Sequence, residues 1–169
     1  MYDELTEVDL QKMRDEIDHR VRVLRPKLIE DVQTARGFGD LSENFEYKCA
    51  KRDKNRNDSR IRYLEGMIRT AKLIAPAART EEGTAGLFDT VVVVPAPTKK
   101  PQTIRIVTTL RQDALKGLVS KESPVAKAVL GHRAGETVHV ELGEGKGYDM
   151  TIQSVEKGTD DASLEISQY

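Results

Sequence analysis

The sequence predicts an α+β protein in two parts: an antiparallel coiled-coil hairpin, then a small β-sheet domain carrying one short helix. Three observations lead there. Apolar residues recur at steps of three and four through residues 10–35 and again through 47–71. A short Gly-containing segment separates the two stripes. From about residue 75 the helical period gives way to short strand-like runs punctuated by Pro and Gly. The expected boundaries are 1–75 for the hairpin, 76–86 for a linker and 87–169 for the sheet domain.

In the first arm, Leu10, Met13, Ile17, Val21, Leu24, Leu28, Val32 and Ala35 form one stripe on a helix of about 30 residues. Pro26 interrupts it and should kink or loosen that turn. In the second arm, Tyr47, Ala50, Lys54, Asn57, Ile61, Leu64, Ile68 and Ala71 continue the same spacing. At 1.5 Å per residue each arm would be roughly 45 Å long, a projecting rod. Near the base Ile61, Leu64 and Ile68 should face Met13 and Ile17. Toward the tip Lys54 and Asn57 take seam positions, and residues 51–58, KRDKNRND, contain no apolar side chain. That pattern predicts a distal half shaped for something other than packing on itself.

After the connector APAARTEEGTAG, strands are expected at 88–94, 103–109, 136–142, 148–155 and 163–167. PAPTKKPQ reads as an irregular hairpin connection, because its prolines would spoil a central strand. In SPVAKAVLG, Ser123 suits the N-cap, Pro124 the first helical position and Gly131 the stop.

Composition narrows the function. A third of the 169 residues are charged, there is no Trp, and the formal net charge is −1. Such a balance gives no general reason to expect DNA or membrane binding, so a polyanionic partner must meet a local patch. One cysteine, Cys49, and no apolar leader or long apolar run point to a soluble protein of a reducing cytoplasm. His19, His132 and His139 lack metal-ligand spacing. Nothing in the sequence demands more than a monomer.

The segment ARGFGDLSENFEYKCAKR, 35–52, places Asp40 and Glu43 between two glycines and a basic run. Their spacing reads in two ways. Asp40 as N-cap with Glu43 three residues on would make a capping box for the second helix. Alternatively, two carboxylates at a hairpin apex could supply part of the oxygen shell of Mg²⁺, the remaining ligands coming from a partner. Residues 48–62 hold seven Lys or Arg against two Asp, a local net of +5. Lys48, Lys51 and Arg52, with Arg36 on the first arm, could hold phosphates. A solvated helix face laced with ion pairs is the plainer reading of the same charges.

GDLSENFEY at a predicted hairpin tip resembles the signature of the bacterial Gre transcript-cleavage factors. SKESPVAKAVLGHRAGETVHVEL, 120–142, is similar to the helix segment of their C-terminal domain, and the order of elements agrees over most of the chain. The resemblance implies an FKBP-like C-terminal domain that docks on bacterial RNA polymerase. It also implies a coiled coil inserted into the secondary channel, where Asp40 and Glu43 help hold a Mg²⁺ shared with the polymerase. The polymerase then hydrolyses backtracked RNA; the factor turns nothing over and has no cofactor of its own. Arg36, Lys48, Lys51 and Arg52 would lie near the nascent RNA 3′ end, and Glu122, Ser123 and Pro124 would belong to the docking segment. Of the two branches the expectation falls on the A-type, although the basic arm does not by itself separate A from B.

Departures and rivals sharpen the expectation. Phe45 stands where the family pattern suggests a small residue, and Phe38 is a second aromatic near the apex; either packs the loop or touches the channel wall or the RNA end. Glu46 shares a helical face with Glu43 and could assist or cap. The tail after Val155 has no assignment. A Gre-like regulator or inhibitor without cleavage stimulation is the nearest rival, disfavoured by the intact acid pair. Prolyl isomerisation would need an aromatic-lined pocket, yet only Phe88, Tyr148 and Tyr169 follow residue 80. A passive coiled coil would leave the acidic apex unexplained.

Overall fold

A computed structural model describes residues 4–39, 44–74 and 83–167. Asp40 and Glu43, and most of the expected linker, lie outside these described residues. The chain divides into two compact units. One comprises Leu10–Ala71; the other comprises Glu4–Asp9 and the chain from Lys72 onward.

The first unit is a helical hairpin. Helix α1 (Glu7–His19) runs through a π-helical turn, Arg20–Leu24, into α2 (Arg25–Arg36), and α3 (Phe45–Thr70) returns along them. Met13 and Leu64 are fully buried, with Leu10, Ile61 and Met67 nearly so, as the apolar stripes require. The expected loosening at Pro26 takes a specific form. Proline has no N–H for the carbonyl four residues back and its ring crowds that carbonyl. One turn earlier the ladder widens, and the Arg25 N–H bonds the Arg20 carbonyl. A π turn accommodates one extra residue, which shifts the phase of the stripe. Val21 and Val23 accordingly face solvent.

The polar stretch of α3 corrects the expectation that the distal seam is given up. Asn57, Asp58 and Arg60 are all buried. Arg60 donates to both oxygens of Glu16, Nε at 2.9 Å and one terminal nitrogen at 3.1 Å. Arg20 donates to Glu16 at 2.7 Å and to Asn57 Oδ1 at 3.2 Å. Asp58 accepts from Arg25 and Lys54, each at 2.9 Å. The arms meet there through charge-assisted hydrogen bonds in place of apolar contacts.

The second unit holds two sheets. β1 (Glu4–Leu5) pairs in parallel with β2 (Lys72–Leu73). The larger sheet contains β3 (Thr90–Pro95), β4 (Gln102–Val107), β5 (Leu118–Ser120), β6 (Thr137–Gly143) and β7 (Lys146–Glu156). Their spatial order is β5-β4-β3-β7-β6, antiparallel except for the β4–β5 pair. Alternate residues of four strands turn inward: Val91 and Val93, Ile104 and Ile106, Val138 and Val140, Met150 and Ile152. Helix α4 (Pro124–Val129) covers this face with Ala126 and Val129. Gly131, at φ +81°, follows α4 in the left-handed conformation that favours glycine.

Two strand expectations change. β5 is an additional three-residue strand, and residues 163–167 form no strand. Leu164 instead packs on the cluster of Phe88, Val107 and Leu118, while the Ser167 N–H bonds the Leu110 carbonyl at 2.8 Å. The tail is also gripped by Arg111, fully buried, which pairs with buried Asp9 at 2.5 Å and with Asp160 at 2.7 Å. Arg111 further donates to the Asp161 carbonyl at 3.0 Å and lies over the Phe88 ring.

The carboxyls of the hairpin seam make it acid-sensitive. Burial alone pushes Glu16 up, but hydrogen bonds from Arg60 and Arg20 outweigh it and hold the group below the ordinary Glu range. The Lys54 hydrogen bond is the largest influence on Asp58, opposed by burial and aided by Arg25, and it too lies low. Groups depressed on folding stabilise fully above their unfolded pKa, and that stability drains as pH falls through the folded value. Helical circular dichroism should therefore show thermal stability falling below about pH 4. Glu16→Gln should lower neutral-pH stability by on the order of 3 kcal/mol and flatten this dependence.

Candidate functional site at the hairpin end

The described end of the hairpin is organised by Asn44. It is the N-cap of α3, its Oδ1 accepting from the Tyr47 N–H at 2.9 Å. Its Nδ2 donates to the Ala35 carbonyl, in the last turn of α2, at 2.7 Å. One amide thus satisfies an orphan donor of one helix and an orphan acceptor of the other. The Phe38 N–H reaches the same Ala35 carbonyl at 3.3 Å. Because Asn44 holds the cap and Phe45 begins the helix, a capping box of Asp40 and Glu43 on α3 is ruled out.

Around this node the chain gathers cations. Tyr47 is half-buried, with the Arg36 guanidinium 5.8 Å and the Lys51 ammonium 6.0 Å from its ring centroid. These two expected phosphate contacts, from different arms, are therefore brought to one aromatic ring. Lys48 and Arg52 are exposed, and Arg52 pairs loosely with Asp53, at 3.8 Å. Phe38 and Phe45 are 68% and 76% exposed, so neither is buried against the helices. Glu46 is exposed in the first turn of α3.

The second group of candidates surrounds α4. The Ser123 hydroxyl accepts from the Ala126 N–H at 3.1 Å and Pro124 opens the helix, as their types suggest. Glu122 is half-exposed and pairs with Lys127 at 2.9 Å. Nearby in the same unit, a groove of about 630 Å³ runs between Arg111–Leu118 and residues 163–167 and has no aromatic lining. Phe88 is buried beneath Arg111. The aromatic pocket that prolyl isomerisation needs is absent among the described residues there.

Comparison with known proteins decides the family. The N-terminal domain model of the GreA/GreB transcription elongation factors matches residues 4–73, and the C-terminal model matches 80–157. The chain belongs to the GreA/GreB transcription elongation factor family. It is 39% identical to transcription elongation factor GreA of Mesoplasma florum over 136 residues, 80% of this chain and 86% of that one. Against GreA of Leuconostoc mesenteroides it is 38% identical over 146 residues, 86% and 91% of the two chains. These relatives place it in the A-type branch. A crystal structure of GreA factor homolog 1 (Gfh1) of Thermus thermophilus aligns with 93% of this chain at 19% identity and a TM-score of 0.43.

Sequence reasoning missed Asn44 and the ring that Arg36 and Lys51 share. A signal was present: Asn44 stands three residues before Tyr47, the first residue of the second stripe, and Asn is among the best N-caps. Two substitutions separate its roles. Asp keeps the capping oxygen but has no N–H for the Ala35 carbonyl. Asn44→Ala should lose about 2 kcal/mol, the sum of cap and tie, while Asn44→Asp should recover only the capping part, about 1 kcal/mol. Thermal unfolding of both variants checks this; an Asp variant as stable as the parent would remove the tie from the account.

Proposed function

We propose that this GreA-family protein binds bacterial RNA polymerase, brings the end of its hairpin to the polymerase active site and stimulates hydrolysis of backtracked RNA there. The catalytic turnover belongs to the polymerase. The observation that most supports this reading is the division of labour at the hairpin end. Asn44 caps α3, a task the sequence offered equally to Asp40, and Arg36 and Lys51 over Tyr47, with exposed Lys48 and Arg52, supply cations to that end of the hairpin.

Asp40 and Glu43 would supply carboxylate oxygens to a Mg²⁺ whose other ligands are the polymerase's. Bound there, the metal would neutralise phosphate charge and acidify a water. This chain's own part is positional. The rigid pair of helices carries the acids, and the cations on both arms hold the RNA backbone by phosphate contacts that do not depend on sequence. Arg36 and Lys51, which lie over Tyr47, would serve this, with Lys48 and Arg52 farther along α3. Glu122 and Pro124 at the start of α4 would contribute to docking, with Ser123 setting the helix that presents them. The protein would work as a monomer in the cytoplasm.

Two experiments test the reading. Asp40→Asn with Glu43→Gln should leave the melting temperature unchanged, since Asn44 caps α3, and should reduce cleavage in stalled complexes on the order of a hundredfold. A double variant that stimulates like the parent overturns the role of the acids. Lys51→Glu with Arg52→Glu should weaken engagement of backtracked complexes more than binding to core polymerase, and should flatten the salt dependence. Equal losses in both would reduce these residues to general docking charges.

A further inference from the structure

We infer that Phe38 and Phe45 are stacking faces for the unpaired bases at the 3′ end of single-stranded RNA. The inference rests on the function proposed above and adds to it a determinant of how the RNA is held.

The two rings are set at one place by the backbone. The Phe38 N–H and the Asn44 side chain bond the same Ala35 carbonyl, at 3.3 and 2.7 Å, and Phe45 is the residue after Asn44. Neither ring is buried in the described hairpin. The interface between the arms at this end is filled by Ala35, 4% exposed, and by the half-buried Tyr47, while the phenylalanines stand 68% and 76% exposed. Gly37 and Gly39 flank Phe38, so no adjacent side chain covers it.

A single exposed apolar residue is ordinary on a protein surface. Two exposed aromatic rings whose chain segments meet at one carbonyl, beside the start of the basic run, are a different case. Phe45, Lys48 and Arg52 lie at i, i+3 and i+7 of α3 and all three are exposed. They form one solvent-facing stripe of ring, cation and cation. Arg36 and Lys51 lie beside it over Tyr47. Single-stranded nucleic acid is the ligand class that uses both features, a π face for each base and positive charge along the backbone. An apolar protein wall would use the rings and gain nothing from the cations.

Leucine keeps the apolar bulk and removes the π face, whereas tyrosine keeps both. Because both rings are solvent-exposed, neither exchange should disturb folding, which helical circular dichroism would verify. All variants are made in full-length chain carrying Asp40→Asn and Glu43→Gln, so that the RNA stays intact. The probe is a backtracked polymerase complex with 2-aminopurine at the RNA 3′ end, beside core polymerase without RNA. The parent and the Phe38→Tyr, Phe45→Tyr pair should quench the probe on binding. The Phe38→Leu, Phe45→Leu pair should not, and should bind the backtracked complex about tenfold more weakly with unchanged affinity for core polymerase. A leucine pair that quenches and binds like the parent overturns the inference. So does an equal loss toward core polymerase, which would assign the rings to a protein contact. If the parent binds neither complex, the proposed function itself fails and this inference with it.

Discussion

A carboxylate held between two guanidinium groups fixes how the two arms of the hairpin meet. Glu16 accepts from Arg20 on its own arm and from Arg60 on the other, and Asn57 and Asp58 extend the same polar seam. An apolar stripe can slip by a turn and still bury leucine against methionine. This seam cannot, because a slip would strand a buried charge, a loss that outweighs the modest net value of the pair. Buried polar pairs in helical assemblies set register more than they add stability. Here the register set at mid-hairpin propagates along stiff helices to Ala35 and Asn44. That is where the amide tie and the Arg36–Tyr47–Lys51 group depend on it.

The hairpin and sheet were legible because their apolar periods are long and regular. Other features were hidden for identifiable reasons. The π turn leaves no mark on a period of three and four beyond Pro26 itself, so Val21 counted as a seam residue. The stretch 51–58 looked like an unfilled seam because its partners on the other arm, Arg20 and Arg25, lie more than 25 residues away in sequence. Residues 163–167 alternate like a strand, but Leu164 and Ser167 meet their needs by strapping back over Phe88 and Leu110. At the site, the cations could be read from composition and the cap could not. Asp40, Ser42 and Asn44 are all good capping types, and the choice among them depends on where α3 starts.

The identity of that cap bears directly on chemistry. A carboxylate serving as N-cap accepts backbone N–H bonds and sits at the positive end of the helix dipole. Recruiting it to a ligand would cost both interactions. With the neutral Asn44 in that position, the helix is capped without a carboxylate. Ser123 shows the same economy in the second unit. Its hydroxyl is committed to α4, which leaves the side chain of Glu122 and the ring of Pro124 to face outward.

Helical phase also divides the basic run into two populations. Of the seven cations between 48 and 62, Lys54 and Arg60 are drawn into the seam by Asp58 and Glu16. Those two pair with the seam acids and contribute little to the external field. Lys48 and Arg52 lie a turn apart on the opposite, exposed face, and Lys51 with Arg36 lies over Tyr47. A chain with a net charge of −1 can still present a polyanion with a confined positive strip, because charges farther off than about 10 Å are screened at ordinary salt. The strip lies within two to three turns of the connection that carries the acids.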